Sequence, residues 1–382
     1  NMFEKINQPW QLYTNNLYGH VRLLFFDITV GVKPWENIVG DPQLSSGNLL
    51  LSNNARPLPR ISVGINEYTP IPGLFGYSEL RRGITQALML DNVYVSRAMI
   101  HYKYAGVRIG GKLPINFRYE IHQVAQWGGY SPRYGDLGNN LHAFINAFFA
   151  RAGGSMSNDK LNAQGNHLGH QLMQLDAKWD DWNISLYWQN ILEDNFALLG
   201  LGNNLPDGIW GISLEQKQWP FISAFTYEYI NTTDQSGAIH DRDGLGYAGN
   251  DEYFRNSVYV NGWNYYYRTI GTPLITSPLY NQDGTIYTLN NRVQAHHLGV
   301  RGDIFGFQYC ALATYVKNYG FDNRSTKLLS TNTALLLEVN KHVEQAWGLD
   351  FGIRLATDIG TQFGNNFGAM ITIKKKGLLY GK

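Results

Sequence analysis

Trp347-Gly348-Leu349-Asp350-Phe351-Gly352-Ile353-Arg354-Leu355 carries a large apolar residue at every odd position and Gly or a charge at every even one. Successive side chains of a strand point to opposite faces, so the stretch reads as a strand with one apolar and one polar face. The pattern recurs where Phe26, Ile28, Val30 and Val32 alternate with Asp27, Thr29, Gly31 and Lys33. Trp182, Ile184, Leu186 and Trp188 repeat it, as do Phe367, Ala369, Ile371 and Ile373. Carried along the chain, it predicts fifteen strands, near 11–22, 25–33, 59–68, 76–88, 93–104, 106–126, 167–178, 182–190, 208–217, 221–230, 291–303, 307–317, 332–342, 346–356 and 366–376.

A soluble sandwich would alternate in the same way, and the joins separate the two readings. Short turns at 179–181, 218–220, 304–306 and 343–345 interleave with longer loops at 191–207, 231–290, 318–331 and 357–365, after a long insertion at 128–166. Membrane barrels keep short turns on one rim and long loops on the other, whereas a sandwich has no reason to hold that parity. Parity also requires 106–126 to be one strand, bulged near Gly110-Gly111 and Pro114.

Composition agrees. The 382 residues hold 31 Lys+Arg against 30 Asp+Glu, a formal charge of +1, which points to no nucleic-acid partner. Charged residues are 16% of the chain and aromatics 14%, with 41 Gly; soluble domains carry roughly 25% charge. No apolar run reaches the ~18–20 residues of a spanning helix. Trp10, Trp35, Trp127, Trp219 and Trp347 fall at strand ends, where interfacial girdles lie. The expected fold is an all-β, antiparallel transmembrane β-barrel, of at least the next even number of strands, forming a single domain over 1–382. The odd strand count leads to the expectation that N-terminal strands are missing from this chain. The chain opens at Asn1 with no leader in view, compatible with an exported protein whose leader has been removed.

Leu141, Phe144, Ile145, Phe148 and Phe149 follow helical spacing between Asn139-Asn140 and Gly153-Gly154. They predict one short amphipathic helix, placed in the 128–166 loop and folded over the barrel mouth.

Few residues suggest chemistry. Cys310 is the single thiol, so there is no disulfide framework or CxxC site. Gly244-Leu245-Gly246-Tyr247-Ala248-Gly249 matches a dinucleotide fingerprint but lacks the strand and helix that motif needs, and reads as loop. Asp241, Asp243, Asp251 and Glu252 have no calcium-loop spacing. His167 with His170, and His296 with His297, point to opposite faces of their strands and make no bidentate metal site. With no GxSxG motif and no metal or cofactor motif, the chain reads as non-enzymatic. Asp27, Lys33, Glu228, Asp350 and Arg354 are assigned to the polar lumen. Trp263, Tyr265, Tyr266 and Tyr267 beside Asn261 and Asn264, in the longest loop, suit sugar stacking and hydroxyl hydrogen bonds. The competing reading of that cluster is packing that stabilises a long loop.

Several further segments stand out by their order and spacing along the chain. They include Leu44-Ser45-Ser46-Gly47, Asn54-Ala55-Arg56-Pro57-Leu58-Pro59 and Glu67-Tyr68-Thr69-Pro70-Ile71-Pro72-Gly73. Others are Arg108-Ile109-Gly110-Gly111-Lys112-Leu113-Pro114, Gln126-Trp127-Gly128-Gly129, Asp234-Gln235-Ser236-Gly237 and Asn261-Gly262-Trp263. Thr276-Ser277-Pro278-Leu279-Tyr280-Asn281-Gln282-Asp283-Gly284, Asn291-Arg292-Val293-Gln294-Ala295-His296-His297 and Gly364-Asn365-Asn366-Phe367-Gly368 complete the set. Together these segments resemble the capsule assembly protein Wzi family of Gram-negative bacteria, and the resemblance runs from about residue 15 to the C-terminus. It implies an outer-membrane barrel of about eighteen strands, so that the expected count is about 16–18 strands, and one that holds capsular or extracellular polysaccharide at the cell surface, amid outer-membrane lipid and lipopolysaccharide. It supplies no catalytic residue. Two alternatives stay open: a structural subunit of a larger outer-membrane complex that binds other outer-membrane proteins, or a porin-like channel.

Overall fold

A computed structural model describes residues 14–151, 164–193, 205–237, 240–242, 245–248, 251–321 and 327–375. Fifteen strands form one antiparallel sheet, each paired with its neighbours in sequence. They are Leu17–Leu23, Phe26–Val32, Pro59–Pro70, Ser78–Leu88, Met99–Ile109, Ile115–Trp127, Asn166–Lys178, Trp182–Glu193, Gly208–Gln216, Ala224–Asn231, Val293–Ile304, Phe307–Asn318, Ser330–Val343, Leu349–Gly360 and Asn366–Lys375. Among the described residues, Leu17–Leu23 and Asn366–Lys375 pair on one edge only, so these fifteen strands leave the sheet open.

The turns obey the parity seen in the sequence. At the short-turn rim, Leu24, Phe75, Phe305 and Trp347 each adopt a left-handed backbone, with Gly76, Gly306 and Gly348 following the last three at positive φ. Consecutive positive φ values match the twist of the flanking strands in tight hairpins. Trp347 therefore belongs to a turn, and its strand begins at Leu349.

One expected element is corrected. The strand proposed across 106–126 is two: Met99–Ile109 pairs with Ile115–Trp127, and the chain reverses at 110–114. Pro114 cannot donate to a ladder, and Gly110 and Gly111 both sit at positive φ. The glycines and proline thus make a turn rather than a bulge. Parity survives, because the preceding strand starts at Met99 instead of near 93.

The outward face is apolar, with Ile28, Ile61, Val63, Ile84, Leu298, Leu335, Leu337, Ile353 and Leu355 exposed. The core lies in the lumen. Segments 33–58 and 251–292 fold inward from the long-loop rim and pack Leu49, Leu50, Tyr253, Phe254, Trp263 and Ile275 against Ile100, Leu168, Ile209 and Ala295 of the wall. Close approach inside the wall needs missing side chains: a Cβ on Gly211 would lie 2.2 Å from the Tyr187 ring.

Gly211→Ala is therefore expected to destabilise the barrel by roughly 1–3 kcal/mol through overpacking. Gly368→Ala, where the added Cβ meets nothing within 4 Å, is expected to be near neutral. Urea unfolding of the two variants in the same detergent checks the contrast; equal midpoints would refute it.

Candidate functional site

Hydrogen bonds fasten the inner segments to the wall. Glu228, fully buried, accepts from Ser45 Oγ at 2.6 Å, Ser46 N at 2.7 Å and Tyr187 Oη at 2.6 Å. Beside it, His297 bridges the Leu44 carbonyl and Thr314 Oγ1, both at 2.7 Å. Arg301 Nε reaches Asp41 at 3.0 Å, and Arg118 donates to the Ile38 carbonyl at 2.9 Å. The two inward segments also pair with each other: Ser52 N donates to the Ile270 carbonyl at 2.8 Å, and Thr272 N to the Leu49 carbonyl at 2.9 Å.

A second buried cluster faces the lumen from the neighbouring strands. Glu120 accepts from Tyr68 Oη at 2.7 Å and pairs with His122 Nε2 at 2.7 Å, with Arg118 at 3.5 Å and Arg81 at 3.8 Å. Tyr102 Oη bonds the other nitrogen of His122 at 2.7 Å, and His170 stacks on the same ring at 4.2 Å. A buried carboxylate is tolerated only when its lone pairs are engaged, and this one is.

Of the lumen residues read from sequence, Asp27 is buried and accepts from Arg22 Nε at 2.8 Å and His20 at 2.9 Å. Glu228 is the anchor just described. Asp350 pairs with His342 at 2.7 Å and Arg354 Nε with Glu338 at 2.9 Å, both on the inward face. Lys33 lies beyond its strand and pairs with Glu36 at 2.5 Å. His167 and His170 do face opposite sides of the wall. His296 bonds Tyr227 while His297 points inward. No group of three or more His, Cys, Asp or Glu positioned for a metal occurs among the described residues. Leu245–Ala248 forms a small hairpin with His240–Arg242; Asp243, Gly244 and Gly249 lie outside the described residues.

The aromatic cluster corresponds to its packing reading. Trp263 is 0% exposed and donates Nε1–H to the Leu50 carbonyl at 2.8 Å. Tyr265, Asn261 and Asn264 are buried too, and the half-buried Tyr266 ring already carries the Arg56 guanidinium at 3.9 Å. No face of Trp263 or Tyr265 is open to a polymer. The open aromatics of this region are Tyr267 and Tyr280, 41% and 49% exposed. The Leu279 N–H donates to the Tyr267 carbonyl at 2.9 Å, holding the two tyrosine backbones together. Arg268, Gln282 and Asp283 are exposed beside them. Sequence reasoning passed over Tyr280 because nothing in its spacing distinguishes an open ring from a buried one.

The helix Leu141–Phe149 forms as read, with the Asn140 side chain accepting from Ala143 N at 2.9 Å. Its position is corrected: it lies against the outward face of the wall, not over the mouth. Phe144 packs on outward-facing Trp127 at 5.6 Å and on His101 at 5.7 Å. Outward-facing polar residues gather near this rim (Gln86, His101, Lys103, Gln123, His167) below apolar Met99 and Trp127, so the helix finds both kinds of partner there.

No family model matches the chain, and no curated protein matches it. Among solved structures it is similar to Wzi of Escherichia coli, described as an outer membrane protein involved in group 1 capsule assembly and a carbohydrate-binding β-barrel. The TM-score is 0.62 at 15% identity, over 94% of this chain and 70% of that one. The fold is an outer-membrane β-barrel. OccK7 (OpdD) and OpdQ of Pseudomonas aeruginosa match with TM-scores of 0.45 and 0.42, each at 11% identity over 93% of this chain and 76% and 79% of theirs.

Above the barrel wall, Asp207 fastens the inward loop. Its carboxylate accepts from Asn231 Nδ2 at 2.7 Å, Asp234 N at 3.0 Å, Gln235 N at 2.8 Å and Tyr253 Oη at 3.0 Å. Burial outweighs these donors and pushes its pKa up to about 6. A raised folded-state pKa gives stability that is present in full below the unfolded value, near 4, and is lost as pH rises through about 6. Two units correspond to roughly 3 kcal/mol at most. Proteolysis of the barrel's 232–292 segment is thus expected to quicken between pH 4.5 and 7.5, and Asp207→Asn to flatten that profile. Identical profiles would count against the assignment.

Proposed function

We propose that this chain is a non-enzymatic outer-membrane barrel of the Wzi type that binds polysaccharide at the cell surface and retains it there. The observation that carries the reading is the filled lumen: segments 33–58 and 251–292 occupy it and are bonded to both wall and each other, which supports a closed barrel over a porin-like channel. The fold shared with a carbohydrate-binding barrel supports the same conclusion. The proposed contact surface is Tyr267 and Tyr280 with the exposed polar groups around them, because open rings can stack on sugar faces while amides and carboxylates take the hydroxyls.

In a strain lacking the gene, total polymer is expected to stay constant while the released fraction grows at the expense of the cell-bound one. Matching fractions in mutant and parent would end the retention role. The double variant Tyr267→Ala/Tyr280→Ala is expected to bind isolated polymer about thirtyfold more weakly, as befits two stacking contacts of about 1 kcal/mol each. Calorimetry or retardation in a polymer-loaded gel measures it.

The filled lumen makes its own prediction. Glu228→Ala strands three donors of segment 45–46 and Tyr187, each bond to a charge contributing ~1.5–3 kcal/mol. The wild-type barrel is expected to be silent in planar bilayers and Glu228→Ala to show conductance steps; steps of equal size in both would restore the channel reading.

A further inference from the structure

The outward wall changes character along its height. Polar side chains prevail in the row Gln86, His101, Ala125 and His167, and they enter the next row at Lys103 and Gln123, beside Ile84. Lower rows, with Leu80, Val107, Tyr119 and Met173, then Ile109, Phe117 and Leu175, are apolar or aromatic. That change of character is what a boundary between hydrocarbon and headgroups at the level of Lys103 would produce on the long-loop side. Arg82 faces outward one row below, paired in register with Ala105. Its side chain is long enough to rise to that boundary, as cationic side chains near a membrane surface do.

A groove of about 500 Å³ opens here, floored by Val63, Ile84, Ala105 and Ile121 and flanked by Arg82, Lys103 and Phe148. None of its lining residues is acidic. Arg82 is exposed and has no ion pair or side-chain hydrogen bond among the described residues. Lys103 stands over the Phe148 ring at 4.1 Å and donates to the Phe148 carbonyl, so the end of the helix holds it at the groove mouth. Leu141, Ile145 and Phe149 of that helix are exposed and apolar, the arrangement of a helix lying in the interfacial plane.

We propose that this groove is a lateral binding site for a phosphorylated glycolipid of the outer leaflet, its phosphate between Arg82 and Lys103 and one acyl chain along Val63, Ile84 and Ile121. An arginine facing hydrocarbon is unfavourable without an anionic partner, and a guanidinium matches phosphate oxygens in bidentate fashion. The long-loop side selects the outer leaflet over the inner. The site rests on the outer-membrane placement and is independent of polysaccharide retention.

The test is native mass spectrometry of the barrel extracted from its own membrane in mild detergent. Wild type is expected to carry one phosphorylated glycolipid, and Arg82→Ala/Lys103→Ala at least tenfold less. Arg82→Ala alone, which leaves the helix contacts untouched, is expected to lose part of the occupancy, and Arg82→Lys to keep most of it. Heat-modified gel mobility confirms that each variant is folded. Delipidated wild type is then titrated with phosphorylated lipid A, with its dephosphorylated form and with phosphatidylglycerol; only the first is expected to bind tightly. Full occupancy in a folded double variant, or equal binding of either other lipid, overturns the site. Wild type found outside the outer-membrane fraction overturns the placement beneath it.

Discussion

In hydrocarbon no water is present to satisfy a backbone amide, so every N–H and C=O of a spanning segment must find a partner within the protein. A sheet of neighbouring antiparallel strands meets that condition over thirteen interior strands, and the apolar outward face follows from it. The inward face then becomes the place where polar groups accumulate. Buried there, each must be bonded or be costly. Glu228, Glu120, Asp27 and His297 show how this is met: every one is fastened to a neighbouring strand or to the segment folded beneath the long-loop rim.

The filling of the lumen is amphipathic in the same sense as the wall. Leu49, Leu50, Phe254 and Trp263 supply the apolar contacts, while Ser45, Ser46, Asp41 and Asp207 tie the backbone down. The two inward segments brace each other through backbone pairs, so removal of one would weaken the seat of the other. Rigid loops of this sort present surface groups at low ordering cost, which favours binding a flexible polymer. The proposed polymer contact, Tyr267 and Tyr280, stands on that braced region.

Much of the wall was legible in the residues themselves. Period-2 alternation at Phe26–Val32 and Leu349–Leu355 located strands and faces together, because the pleat ties side-chain direction to sequence parity. The helix from Leu141 was legible because 3.6-residue spacing and an Asn cap are local signals. The misreading at 106–126 has a local cause as well: apolar alternation continues through Gly110-Gly111, and only the pairing of Arg108 with Arg118 shows the chain turning back there.

What the sequence by itself determined is therefore the secondary structure, the side each strand residue takes and the rim on which each loop emerges. Burial within loops was decided by tertiary structure alone. Trp263 and Tyr267 lie four residues apart in one aromatic run, yet one ring is sealed under Leu50 and the other is open. Irregular segments have no periodicity to couple position to environment, so contacts over two hundred residues away in sequence settle which ring is offered outward. The same reason placed the helix on the outer wall: its apolar stripe required a partner, and only the folded barrel set Trp127, His101 and Lys103 side by side to supply one.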